Sequence, residues 1–383
     1  MSHADKYVVV TPIPFRFIAF VLLLSTSAAA QEVVVFSRRV YAAQGRTYQQ
    51  LWVSSGSNVE LKPLTNSPRD HNEPMCSRDG TQVFFSSGDG SIWSFDRATG
   101  AEHEVLQVST WNRPRLLGIG ADGRLLVQRC LGPFQSRPTR CTRVVEWHPA
   151  APAPRTHDAI MLPLPEHDAV LLSPDGTRLV VNSPPYDKQT YALSAMGVRL
   201  ETLNLQSFVT DAETARSRTD LRPCDRPLWS LDGSRLACAT GRDITIVDVG
   251  TGSEIERIRF SAHNSRGESY ATTPAPEAWS HDDRMLLVGT YGENSSSTYP
   301  QLDYFLVDLA TKNWTRAMAG NNAVWLAGRN AILYATPRDL VPLPPGDHRV
   351  WSAQLAAFDL TTRTETVLTT GVTNNGQPAV CRP

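Results

Sequence analysis

"PLWSLDGSRLACATGRDITIVDVGTGSEIERI", residues 227–258, contains three short apolar runs and two turn signals. Asp232-Gly233 separates the first two runs. The third run ends in Asp248, and Thr251-Gly252 follows it before a fourth, more polar run. Asp-Gly suits a tight hairpin because these residues tolerate positive φ. The stretch therefore reads as four short antiparallel strands.

The same unit recurs along the chain. Its first half appears as "PMCSRDGTQVFF" (74–85), "RLLGIGADGRLLVQ" (115–128), "AVLLSPDGTRLVV" (169–181), "EAWSHDDRMLLVG" (277–289) and "AVWLAGRNAILYA" (323–335). Its second half appears as "IWSFDRATG" (92–100), "YFLVDLATK" (304–312) and "AAFDLTTR" (356–363), each followed by an outer strand. Four-stranded units at a period of roughly 40–60 residues read as the blades of a β-propeller, an all-β fold. A helical solenoid is excluded, because no window sustains a 3.6-residue period and β-branched residues crowd the apolar runs.

The chain ends complete the count. Residues 33–65 supply three strands and lack an inner one, whereas 374–383, "NNGQPAVCRP", reads as an isolated inner strand. Sharing one blade between the termini closes the ring and makes seven blades. Six remains open if the irregular unit at 113–162 or that at 168–205 is degenerate.

"LLSPDGTRLVV" and "LWSLDGSRLACATGRDITIVDVGTG" resemble the WD40-like repeat of the TolB family, whose blades read Pro-x-Trp-Ser-Pro-Asp-Gly before two strands and a Thr-Gly turn. The resemblance covers nearly all of 31–383. It implies a propeller and, through TolB, a protein-segment partner. It specifies function weakly, because its motif residues serve turns and packing. The α/β domain that precedes the TolB propeller has no counterpart here. Nor has the hydrolase domain of prolyl-oligopeptidase relatives, with its Gly-x-Ser-x-Gly elbow. The expectation is a stand-alone, monomeric propeller over 31–383.

The chain has 383 residues, 41% hydrophobic and 20% charged, with a formal net charge of −1. No basic cluster of the kind nucleic acid requires is present. Residues 1–30 read as a cleaved export signal: Lys6 and Arg16, then the apolar "FIAFVLLLSTSA" (17–28), then Ala28-Ala29-Ala30. That apolar run is shorter than the about 20 residues a membrane span needs. The expected location is the periplasm or the exterior, with no span after cleavage. All six cysteines lie beyond this segment, an even count that permits disulfides. Cys130 and Cys141 should be neighbours at the end of one strand and the start of the next. Cys76 and Cys381 fall one residue out of step in inner strands of adjacent blades, the parity that a cross-blade bond needs; two buried thiols are the alternative. Cys224 and Cys238 pair only if the chain before Pro227 folds back. No CxxC pair or His-rich spacing suggests a metal.

Loop length is asymmetric. The 1–2 and 3–4 turns are minimal, whereas 129–142, 182–190, 205–226, 261–276, 290–303 and 336–352 are long and share the opposite face. Binding residues concentrate on such loops. Residues entering the inner strands should ring the channel there, and His71, Glu73, Arg113, His167, Asp225, Arg226, Glu277, Asn322 and Gln377 are the candidates. A channel mouth full of water is polar in any case, so polarity alone does not make a site. His71 and His167 lack the third ligand that a metal-dependent propeller lyase uses. No phosphate loop, His-Glu-x-x-His or nucleophile elbow occurs, and no cofactor is expected. Trp229, Trp279 and Trp325 recur at one repeat position and read as packing between blades. Two functions follow: a non-enzymatic binder of a protein segment or saccharide at this mouth, or a lyase or hydrolase working there.

Overall fold

The computed structural model describes residues 33–41, 47–55, 60–107, 112–120, 123, 125–131, 140–148, 160–163, 169–176, 178–183, 199–204, 216–219, 225–260, 274–291, 302–326, 330–342, 349–371 and 375–381. The segment 1–30 read as an export signal, His167 and Cys224 lie outside them. The described elements are all strands, and none is a helix. The chain is an all-β propeller built from antiparallel meanders.

β1 (Val33–Tyr41), β2 (Thr47–Ser55) and β3 (Glu60–Pro63) form three strands of the first sheet. The second sheet is β4 (His71–Cys76), β5 (Gln82–Ser87), β6 (Ile92–Asp96) and β7 (Glu102–Leu106). The third is β8 (Asn112–Ile119), β9 (Leu125–Leu131), β10 (Arg140–His148) and β11 (Ile160–Pro163). The fourth is β12 (Ala169–Leu172), β13 (Arg178–Ser183), β14 (Arg199–Asn204) and β15 (Arg216–Thr219). The fifth is β16 (Asp225–Trp229), β17 (Arg235–Thr240), β18 (Asp243–Asp248) and β19 (Glu254–Arg259). β20 (Ala275–Trp279), β21 (Met285–Tyr291), β22 (Leu302–Asp308) and β23 (Trp314–Leu326) come next, and the 13-residue β23 runs on as the inner strand of the following meander. That meander continues through β24 (Ala331–Ala335), after which β25 (Asp339–Pro342) and β26 (Arg349–Ser352) make a separate hairpin. β27 (Leu355–Asp359) and β28 (Glu365–Val367) complete it. The last strand, β29 (Asn375–Cys381), pairs antiparallel with β1, Val33 opposite Cys381 and Val35 opposite Ala379.

Two stretches read as loops contain strands. β15 lies within 205–226 and pairs with β14. "RSRT" is polar, but an outer strand needs only its backbone to pair. β25 and β26 lie within 336–352, where Leu340 and Val341 face Trp351 and Val350.

The turns follow a side-chain rule. In Ser230-Leu-Asp-Gly the Gly233 N–H donates to Ser230 O, and Ser230 N–H reaches past the turn to Arg235 O. Asp232 Oδ1 accepts from the Ser230 hydroxyl at 2.7 Å and from Ser234 N at 2.9 Å. Ser77/Asp79 and Ser280/Asp282 repeat this. Only the last turn residue takes positive φ: Gly80, Gly176, Gly233 or Asp283. These are thus four-residue loops in which the Asp carboxylate substitutes for missing backbone partners. At the Thr-Gly turn, hydrogen bonds from the Thr251 side chain and backbone hold the Asp248 carboxyl below its ordinary range.

Packing between sheets repeats as well. Trp229 Nε1 donates to Leu171 O of the preceding sheet, and Trp279 Nε1 to Leu228 O. In return, Arg178 lies over the Trp229 ring at 5.2 Å and donates to Gly233 O. Arg235 lies over Trp279 at 5.0 Å and donates to Asp283 O. Each indole is thus held by the sheet before it, on its edge and on its face. The tryptophans are the inter-sheet packing the repeat suggests.

Cys76 and Cys381 are disulfide-bonded with Cα atoms 5.2 Å apart, inside an apolar cluster with Val33, Val35, Val83 and Phe85. Cys141 lies opposite Cys130 in the β9–β10 register. Cys238 is disulfide-bonded too.

Two expectations follow. Truncation before Asn375 removes β29 and its disulfide, which by itself is worth about 2–5 kcal/mol, and should lower the melting temperature by about 10 °C or more. An unchanged melt would show that the terminal sheet carries no load. Trp279→Ala should cost about 3–5 kcal/mol in urea unfolding, and Arg235→Ala about 1 kcal/mol.

Candidate functional site

The inner strands do not enter their sheets straight. In β4 the register steps from Asn72–Ser86 to Met75–Phe84, so Glu73 and Pro74 together oppose Phe85. In β16 it steps from Asp225–Ala239 to Leu228–Ala237, so Arg226 and Pro227 oppose Cys238. In β23, Asn322 and Ala323 oppose Tyr334. In β29, Gln377 and Pro378 oppose Phe36. β20 bulges at Glu277, between Pro276–Val288 and Ala278–Leu287. The residue opposed is large or fully buried in each two-on-one case.

At three of these bulges the first residue is left-handed although it is not glycine: Glu73 at φ 50°, Arg226 at 48° and Asn322 at 53°. All three are exposed. A β-bulge re-aims a side chain, and left-handed φ at a non-glycine residue costs roughly 1–3 kcal/mol. The simple alternation of the sequence contained no sign of this kink. It does single out the same positions as candidates, because the kink sits where each inner strand begins. β8 bulges elsewhere, at Leu117.

The bulges are coupled sideways. β8, β12, β16, β20, β23 and β29 each touch the inner strand that follows, β29 touching β4. Glu277 lies across Gly289, where an added Cβ would meet its Cγ at 3.2 Å and its Oε1 at 3.3 Å. Beyond Gly289 in the same row is Tyr304. Burial pushes the Glu277 carboxyl up to about 7, with the Arg226 guanidinium of the neighbouring sheet pulling the other way. Burial also pushes the Tyr304 phenol well up, and the nearby Glu277 adds to that. The Tyr304 hydroxyl in turn accepts the N–H of Ala323 in the next bulge, at 3.4 Å. The Asn322 side chain then lies against Gly376 of β29. A chain of polar groups thus runs through three successive bulges to the terminal strand.

The remaining candidates divide. His71 is fully buried, its ring nitrogens engaged by Gln49 O, Arg69 O and Ser67 Oγ. Its side chain therefore points into the sheet packing and is not presented to solvent. Arg113, Asp225 and Gln377 occupy β8, β16 and β29; their side chains lie outside the described residues, as does all of His167. Tyr304 and Gly289 were not legible as site residues, although a glycine inside an apolar strand is a signal of close approach. Among the described residues, no group of three or more His, Cys, Asp or Glu side chains is placed to hold a metal ion.

No protein-family model matches the sequence, and a search of the curated proteins finds no match. Among solved structures the chain is similar to a provisional 6-phosphogluconolactonase from Bacteroides fragilis, with TM-score 0.54 and 14% identity over 93% of this chain and 98% of that one. It is also similar to dipeptidyl peptidase 4 from Porphyromonas gingivalis, with TM-score 0.50 and 12% identity over 88% and 50%. TolB from Acinetobacter baumannii follows, with TM-score 0.47 and 12% identity over 92% and 66%. The chain thus spans half the length of that peptidase and just under two thirds of that TolB. At such identities the likeness is one of fold, the β-propeller, and no activity transfers with it.

The Glu277 environment makes a pH prediction. Because its carboxyl is raised in the folded state, the fold keeps a proton that the unfolded chain releases between pH 4.5 and about 7. The associated stability is present below 4.5 and is lost as pH rises through about 7. Glu277→Gln removes that loss. The variant should melt close to the wild type at pH 4 and several degrees above it at pH 8, followed by thermal melts across the range. A constant difference would show that Glu277 does not titrate in this way.

Proposed function

We propose that this chain is an exported binding protein: a seven-bladed propeller, closed through its terminal strands, that holds a protein segment or saccharide, with no enzymatic turnover of it, at the mouth made by its inner-strand bulges. The observation that carries this reading is the left-handed backbone at Glu73, Arg226 and Asn322. Glycine would adopt that conformation without strain, yet exposed polar residues hold it at one repeat position. Lys312 and Arg363 also hold positive φ, but in turns between strands; strain kept inside a strand entry is of the kind that clusters at active sites and ligand clamps. Export is supported by the apolar segment at 17–28 and by the Cys76–Cys381 disulfide, which suits an oxidising compartment.

A second reading rests on Glu277. A carboxyl poised near neutrality beside an arginine suits proton transfer, so a lyase or hydrolase at the same mouth is the rival. Peptide and glycan arrays probed with the full chain, followed by calorimetric titration of the hits, separate the two. Binding without turnover, weakened at least tenfold by Arg226→Ala together with Asn322→Ala, supports the binder. Turnover of a bound compound that Glu277→Gln abolishes while binding persists supports the enzyme. Binding that survives every mouth substitution overturns both.

A further inference from the structure

His71 precedes the exposed bulge residue Glu73 by two positions, but its ring is buried, and its hydrogen bonds have a chemical consequence. Two carbonyl oxygens face its Nδ1, Gln49 O at 2.9 Å and Arg69 O at 2.8 Å. Carbonyls only accept, so Nδ1 carries the proton, and a neutral ring presents a lone pair at Nε2. That lone pair meets Ser67 Oγ at 3.1 Å. Ser67 is half-buried, in the segment between β3 and β4, while the imidazole beneath it is shut off from solvent. Glu102 Oε2, 3.8 Å from His71 Nε2, is a second acceptor for the one Ser67 hydroxyl proton, at 3.3 Å.

The segment is braced. Thr65 accepts Leu51 N and Gln50 Nε2 through its hydroxyl and carbonyl. Asp70 accepts Gln49 N at 2.7 Å, and Arg69 stacks over Trp93 at 4.2 Å. The geometry of a hydroxyl, an oriented imidazole acceptor and a supporting carboxylate is thus preset by the packing of the first two sheets.

We propose that Ser67 is an activated nucleophile with His71 as its general base, a centre for acyl transfer from small activated esters. Ser67 Oγ bonds the acyl carbon as its proton passes to His71 Nε2. The alkoxide or phenoxide leaves and takes that proton. Water then repeats the sequence, releasing the acid and restoring the serine. Glu102 sits on the Nε2 side, where it stabilises the imidazolium formed in both halves, and the two carbonyls hold the ring from the other side. None of the left-handed bulge residues takes part in this centre, which does not depend on the binding role of the mouth.

The test is covalent labelling of the full chain with a fluorophosphonate, in which Ser67 Oγ displaces fluoride from phosphorus, with the modified residue located by peptide mass mapping. A single adduct at Ser67 is expected. Ser67→Ala should remove it, and His71→Asn should slow it by about 100-fold or more. Glu102→Gln, at a partly exposed position, should slow it by about tenfold while leaving the melt unchanged. His71 is buried, so its variant counts only if its melt stays cooperative; the wild type and Ser67→Ala decide without it. No adduct in the wild type, an adduct on other serines instead, or labelling indifferent to Glu102→Gln overturns the proposal.

Discussion

The pairing of β29 with β1 is the constraint on which the other features of this protein rest. Strands from the two ends of the chain form one sheet, with apolar clusters on both of its faces. Val33, Val35 and Cys381 pack against Val83 and Phe85 of the second sheet, and Val34 and Phe36 pack against Leu333 and Leu355 at the far end of the chain. Without β29, β1 would offer an open edge and the Phe36 side would lose cover. The Cys76–Cys381 bond ties the same strand to the second sheet. Because it joins residues 305 positions apart, it restricts the unfolded chain more than a bridge within one hairpin would.

Between sheets, one device repeats with small changes. An arginine at the start of a second strand covers the tryptophan of the next sheet and then reaches that sheet's turn carbonyl. The tryptophan N–H answers by donating backwards. This arrangement needs the Asp-Gly loop in one shape, because the loop supplies the carbonyl that the arginine finds. The turn motif and the packing motif are therefore one unit, which explains why Ser, Asp, Gly and Arg travel together in "SPDGTR" and "SLDGSR".

The bulges show how the same scaffold makes room for chemistry. Where two residues oppose one, the strand kinks and an exposed polar side chain is lifted out of the alternation. Glu277 illustrates the electrostatic result. Its carboxyl occupies space that Gly289 leaves open and is poorly hydrated there, so the charged form is disfavoured until Arg226 partly compensates. His71 illustrates the reverse outcome: a polar residue at the same end of an inner strand turns inward, because Gln49, Arg69 and Ser67 satisfy it.

The sequence by itself determined the repeat, the strand class and the place of each turn, because period-two alternation and Asp-Gly or Thr-Gly punctuation are local signals. It also located the terminal strand and the parity of Cys76 and Cys381, since side-chain direction in a strand follows from counting. It placed the candidate positions at the entries to the inner strands. It could not tell Glu73, which is exposed, from His71, which is buried two residues earlier. Nor could it find the kink, the role of Gly289 beneath Glu277, or the hydroxyl of Ser67 against an imidazole. Each of those depends on atoms contributed by another strand or another sheet, and sequence spacing carries no record of distances that are set only when sheets pack face to face.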